Sequence, residues 1–377
     1  ETARVLAANG VRVYLYPRLM PTPALSFAVL DRHCTGGVMV TASHNPARYN
    51  GYKAYAADGA QISGHVAAAV SEEIEKTDIF RDVKLADFEE ALADGRIAYI
   101  GDALIERYYA AVMAQALRPE LGKAAGLRLV YTPLNGSGLV PVMTVLKRMG
   151  HTDITVVPEQ EQPNGDFPTC PYPNPEILEA MQLGLNLCEK LGADLLLATD
   201  PDSDRVGTAV LQNGTPCLIS GNEMGVLLLD YICRTRLELH KMPESPVAVR
   251  SIVSTTMTDA IAAHYGVEMR QVLTGFKYIG EQIAHLEAEG HPERFIFGFE
   301  ESYGYLAGGY VRDKDAVVAS MLICEMAAWY KGRGKNLGEA LDDLYAQYGY
   351  YFNKVDSYTF PGSDGMEKLS LIHISEP

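Results

Sequence analysis

Short apolar runs alternate with longer stretches of helical periodicity along most of the chain. Residues 11–16, 37–41, 127–131, 154–157, 194–199, 247–252, 268–272 and 295–299 read as strands. Several are apolar at nearly every position, the mark of strands buried on both faces. Between them, residues 103–117, 138–149, 175–191, 222–236, 255–265 and 278–289 read as helices. The run 316–330, interrupted by Glu325, reads as a buried helix and not as a membrane span. The first residues read as a helix feeding the strand at 11–16. Alternation of this kind predicts an α/β fold with parallel or mixed sheets covered by helices. Breaks at 118–122 and 220–222 divide the chain, the second following a Gln212-Asn213-Gly214 hairpin turn.

Composition narrows the class. The 377 residues are 47% hydrophobic and 21% charged, as in a soluble globular protein. Thirty-two basic residues against 48 acidic ones give a net charge of −16, with no basic patch of the kind that nucleic-acid binding requires. The same charge repels a phosphorylated ligand at long range, so local cations and backbone N–H groups would have to hold one. Six cysteines, none in a C-x-x-C pair, indicate reduced thiols in a cytoplasmic protein. No secretory leader is evident, and no membrane partner is expected.

Two loops carry chemistry. The strand at 194–199 runs into Asp200-Pro-Asp202-Ser-Asp204-Arg205. Three carboxylates at alternate positions repel one another unless a cation neutralises them, and hard oxygen ligands favour Mg²⁺ or Ca²⁺. A calcium-binding EF-hand loop fails on spacing, because Arg205 and Leu211 stand where Gly and Glu are needed. A solvated acidic turn is the bland alternative. After the strand at 37–41 comes Thr41-Ala-Ser43-His44-Asn-Pro46, which sets Ser43 at a strand end before a stiff turn. The elbow motif of serine hydrolases is absent, and by composition a capped turn fits as well as a nucleophile.

The motif Thr41–Pro46 resembles the phosphoserine signature of the α-D-phosphohexomutase superfamily. Asp200–Arg205 resembles its metal loop, and Gly298-Phe-Glu-Glu-Ser-Tyr-Gly304 its sugar-binding loop, in the family's order. Together with Thr274–Ile279 and Val311–Asp315, the wording is most similar to the bacterial α-phosphoglucomutase and phosphopentomutase-like branch. The resemblance implies tandem three-layer α/β/α domains with mixed parallel sheets and an active site in the cleft between them. It divides the chain into a partial phosphoserine domain (1–117), a metal-binding domain (118–220), a sugar-binding domain (221–348), the start of a phosphate-binding domain (349–368) and a tail of foreign character (369–377). On this reading the chain is truncated at both ends and inactive on its own.

The resemblance also implies the chemistry. Ser43 would carry a phosphate and, with Asp200, Asp202 and Asp204, hold one Mg²⁺. Arg205 would steady the phosphoryl oxygens. Thr274, Gly275, Lys277, Glu300 and Ser302 would meet the sugar phosphate, and Lys53, Lys314 and His44 are the candidates for general acid and base. A lysine in that role needs a lowered pKa. The implied reaction interconverts glucose 1-phosphate and glucose 6-phosphate through glucose 1,6-bisphosphate. Mannose or pentose phosphate mutation, bisphosphate synthesis and noncatalytic sugar-phosphate or Mg²⁺ binding are the alternatives. The oligomeric state is open, with a monomer favoured.

Overall fold

The computed structural model describes residues 1–212 and 214–354, together with Gly365 and Lys368. Of the segments expected to begin a further domain and a tail, only 349–354, Gly365 and Lys368 fall within the described residues, and 369–377 lies outside them.

The first region contains α1 (Thr2–Ala8), β1 (Val13–Leu15), α2 (Thr22–Asp31), β2 (Gly36–Val40), β3 (Tyr52–Ala56), α3 (Gly64–Lys76), α4 (Phe88–Ala93), β4 (Ile97–Tyr99) and α5 (Asp102–Met113). It holds two ladders. β1 pairs in parallel with β4, and β2 pairs antiparallel with β3, setting Met39 opposite Lys53. These strands are only partly buried, so the expectation of two buried faces fails at 11–16 and 37–41. The helix expected at 103–117 ends at Met113, and residues 114–117 continue as turns.

The second region contains α6 (Leu121–Ala124), β5 (Arg128–Thr132), α7 (Leu139–Arg148), β6 (Asp153–Val156), α8 (Leu178–Leu191), β7 (Leu195–Thr199), β8 (Val206–Gln212) and β9 (Thr215–Ile219). Its sheet has the order β6-β5-β7-β8-β9. The first three strands are parallel and the last two antiparallel. β7 lies at the centre with every residue buried, as its unbroken apolar run requires.

The third region contains α9 (Gly221–Glu238), β10 (Val247–Ser251), α10 (Met257–Tyr265), β11 (Glu268–Val272), α11 (Phe276–Ala288), β12 (Phe295–Glu300), β13 (Gly304–Leu306), α12 (Ala316–Lys331) and α13 (Leu337–Tyr348). Its sheet order is β11-β10-β12-β13, parallel except for β13. Helix starts follow local rules. Ser220 and Glu223 form a reciprocal capping box on α9, and Asp315 accepts the N–H groups of Val317 and Val318 at the start of α12.

One apolar core runs through all three regions, and α12 is its axis, buried from Ala316 to Tyr330. The charge within that run, Glu325, accepts hydrogen bonds from the Leu117 N–H at 3.1 Å and the Tyr231 hydroxyl at 2.8 Å. A buried carboxylate is tolerated because its lone pairs are occupied. No helix among the described residues is long and apolar enough to cross a membrane.

The loop between β5 and α7 is pressed against the acidic loop that follows β7. Both the N–H and the hydroxyl of Ser137 donate to the Pro201 carbonyl, at 2.8 and 2.9 Å. A Cβ on Gly136 would stand 2.3 Å from the Pro201 Cα, a backbone atom that cannot rotate away. Gly136→Ala should therefore cost about 2 kcal/mol or more, read as a lower urea midpoint. Gly165→Ala, which meets nothing within 4 Å, should leave the midpoint unchanged.

Candidate active site

The acidic loop joins β7 to β8, at the carboxyl end of the central strand, where open α/β sheets gather ligands. Asp200 organises the turn: its Oδ1 accepts the N–H groups of Asp204 and Arg205, each at 3.0 Å. Ser203, at the apex, has φ +54°. This curl brings one oxygen each of Asp200, Asp202 and Asp204 within 4.8 Å of one another, with all three side chains buried. Burial first, then the charges of Asp204 and Asp202, push the Asp200 carboxyl well above its ordinary range. Asp204 is also buried, yet Lys314, Lys53 and Arg205 outweigh that penalty and hold it ionised. Its Oδ1 has no hydrogen-bond partner. Three hard oxygens with an unsatisfied lone pair fit a small divalent cation such as Mg²⁺.

Ser43 reaches the same point from another region. The Ser43 N–H donates to Thr41 Oγ1 at 2.8 Å, and its backbone has φ +53°. The loop closes where Gly51 passes Thr41, whose carbonyl oxygen would be 2.2 Å from any Cβ there. The Ser43 hydroxyl lies 3.2 Å from Asp202 Oδ1 and 3.5 Å from Asp200 Oδ2. His44 Nδ1 is 3.2 Å from the same hydroxyl oxygen. Burial first, then the Arg205 charge, lower the His44 pKa to about 4, so its ring is neutral at neutral pH.

Two lysines converge on the acids. Lys53, on β3, is 2.8 Å from Asp202 Oδ2 and 3.2 Å from Asp204 Oδ2. Lys314, before α12, is 3.0 Å from Asp204 Oδ2. Burial opposes their charge, but the carboxylates outweigh it and hold both above the ordinary lysine value. The lowered lysine pKa expected for a general base is therefore not found. In this structure both are firm cations, and His44 is the neutral base beside Ser43.

The remaining candidates lie on adjoining loops. Glu300 is buried at the end of β12 and accepts the Gly275 N–H at 2.6 Å, and burial raises its pKa. Its neighbour Glu301 turns away to accept the hydroxyls of Ser251 and Ser254. Ser302 is half-buried, and Tyr303 beside it has φ +65°. This loop touches the acidic loop through an Arg205–Gly304 bridge and the Val206 N–H to Tyr303 carbonyl bond at 3.1 Å. Arg205 pairs with Glu176 at 2.6 Å and lies 3.9 Å from Asp204. Thr274 is exposed, and Lys277 lies over the Tyr278 ring rather than on the acids.

Four contributors were not anticipated. Thr22, at the start of α2, donates its hydroxyl to Asp202 Oδ2 at 2.9 Å. Glu176 anchors Arg205, and Tyr55 donates to Asp313 at 2.6 Å. The Tyr55 side chain could have been found from its position two residues after Lys53 on one strand face. Nothing local marks Thr22 or Glu176.

Three family models match the chain: phosphoglucomutase/phosphomannomutase α/β/α domain I at residues 1–80, domain II at 106–214 and domain III at 220–348. The phosphoglucomutase of Staphylococcus epidermidis strain RP62A is 35% identical over 98% of this chain, which spans 66% of that protein's length. A Thermus thermophilus protein provisionally named a phosphomannomutase is 26% identical, with a TM-score of 0.73 over 91% of this chain and 70% of its own. The Aspergillus fumigatus N-acetylphosphoglucosamine mutase, solved in complex with GlcNAc-6P and magnesium, shares the fold at 15% identity and a TM-score of 0.54, over 93% of this chain and 83% of its own. With matched domains spread over most of its length and the loops at Ser43, Asp200–Asp204 and Glu300 gathered together, the chain belongs to the phosphoglucomutase/phosphomannomutase family.

Proposed function

We propose that this site moves a phosphoryl group between the 1- and 6-oxygens of glucose phosphate, through a phosphorylated Ser43 and glucose 1,6-bisphosphate. The observation that carries the reading is the approach of the Ser43 hydroxyl to Asp202 and Asp200, from loops more than 150 residues apart in sequence. Glucose is preferred as the sugar because the matched Staphylococcus relatives are phosphoglucomutases.

Asp200, Asp202 and Asp204, with the Ser43 oxygen, would hold Mg²⁺. When bound, the ion supplies Lewis-acid stabilisation of phosphoryl charge. The chain's own groups do the rest. As a bisphosphate phosphorylates Ser43, an Oγ–P bond forms, the P–O bond to the sugar breaks as its oxygen takes a proton from Lys53 or Lys314, and the Ser43 proton passes to His44 Nδ1. The reverse transfer returns that proton to Ser43 Oγ. Lys53, Lys314 and Arg205 spread positive charge over the transferring group, where little covalent help is needed. Glu300 and Ser302 offer hydrogen bonds to ring hydroxyls in either orientation of the sugar, with Thr274 and Gly275 beside them. Lys277, on the rim, meets the distal phosphate. On a domain division at 117/118 and 220/221, these loops would line one cleft. The protein works in the cytoplasm on a small sugar phosphate.

Incubation with glucose 1,6-bisphosphate and Mg²⁺ should add one phosphate to the chain by intact mass, mapped to Ser43. Ser43→Ala should abolish the label and, in a chain extended to its relatives' full length, reduce transfer by at least about 10³-fold. A label elsewhere would overturn the reading.

Mg²⁺ at 100 times its Kd should stabilise the fold by about 2.7 kcal/mol, seen as a higher Tm. Asp202→Asn, which keeps the shape and removes the charge, should lose most of that gain.

For His44 the folded pKa is about 4 against 6.5 ordinarily. Between those values the unfolded chain binds a proton that the folded chain excludes, so stability should fall as pH drops through the window. Urea midpoints across it should flatten in His44→Asn.

A further inference from the structure

Residues 312–315, leading into α12, hold the first region at three points. The Arg312 N–H donates to Ser26 Oγ at 2.9 Å, and Asp313 and Asp315 accept the hydroxyls of Tyr55 at 2.6 Å and Tyr108 at 3.0 Å. Only the middle contact adjoins a lysine of the site. Asp313 Oδ2 takes the Tyr55 hydroxyl, while Oδ1 accepts the Lys314 N–H at 2.8 Å and stands 3.4 Å from its Nζ. Tyr55 is buried and lies two residues after Lys53, on the same face of β3. The opposite side of the Lys314 stem is fixed by Gly304, where a Cβ would stand 2.3 Å from Lys314 Cδ.

We infer that Tyr55 and Asp313 form a positioning pair, which sets Lys53 and Lys314, from two regions of the chain, on the one carboxylate of Asp204. Among the described residues, no hydrogen bond joins the pair to Ser43 or to the acidic loop. Its effect passes through the two ammonium groups: β3 carries Lys53 with Tyr55, Asp313 carries Lys314, and the hydroxyl–carboxylate bond fixes their separation. The role of the pair in turnover rests on the phosphoryl-transfer reading above, since there the two charges serve the transferring group. The placement of Lys314 does not rest on it.

Two readouts separate these layers. In the metal-free chain, acetylation of individual lysines by acetic anhydride is followed by mass spectrometry, with Lys277 as internal reference. Tyr55→Phe removes only the hydroxyl and should speed Lys314 acetylation about fivefold, the equilibrium worth of a net hydrogen bond. Asp313→Asn should act in the same direction. Tyr108→Phe, which breaks the neighbouring contact to Asp315, should leave Lys314 at the parent rate and controls for general loosening. Equal Lys314 rates in Tyr55→Phe and the parent chain, or an equal rise in Tyr108→Phe, would overturn the pairing. In the phosphoryl-transfer assay, Tyr55→Phe should lower kcat with KM for the sugar phosphate unchanged. A rise in KM at constant kcat would remove the pair from the chemical step. A parent extended to its relatives' full length that shows no transfer would count against the proposed function alone, because the acetylation rates still decide the pairing.

Discussion

Three carboxylates are gathered in a buried turn, and the architecture of the site follows from the cost of that crowding. Left alone, the three carboxylates would repel one another, and burial together with the charges of Asp204 and Asp202 already raises the Asp200 pKa. Here the charge is answered from three directions: Lys53 on β3, Lys314 before α12, and Arg205 within the loop itself. Because those cations come from separate parts of the sequence, neutralising the turn also joins the regions. Thr22 adds a neutral donor from α2 to the same cluster.

Joining the regions this way needs close backbone approaches as well as charges. Gly136 lets one loop lie on Pro201, and Gly304 lets the Lys314 stem pass close to the start of β13. The buried axis α12 then fixes the distances, since Asp315 caps it and also receives hydroxyls from Tyr108 and Tyr310. Packing, capping and site geometry thus share the same few residues.

The sequence made some of this plain and hid the rest for identifiable reasons. Ser43 and the acidic loop stood out because their residues are contiguous, and all eight expected strands are present because continuous apolar runs such as 195–198 have few other uses. The buried helix at 316–330 was legible for the same reason. α2 was missed because prolines stand at its N-terminus, at 21 and 23, and because it is buried on most sides, which leaves no amphipathic period to read. β13 was missed because it spans only three residues, and β3 because Lys53 breaks its apolar pattern. The partners of the site were harder still. Glu176 finds Arg205, and Thr22 finds Asp202, only through the tertiary fold, and the firm positive charge of Lys53 and Lys314 depends on acids more than 100 residues away.

The apexes of the serine, acidic and sugar loops are Ser43, Ser203 and Tyr303, each a non-glycine residue with left-handed backbone. Such conformations cost of order 1 kcal/mol or more apiece. Replacement by glycine would relax each loop and would look like a gain to any selection for thermal robustness alone. At Ser43 that relaxation would delete the hydroxyl that meets Asp202 and His44, and at the other two it would loosen the neighbouring loops. The fold therefore carries a local ceiling on its own hardiness, set at the three turns where its chemistry is concentrated.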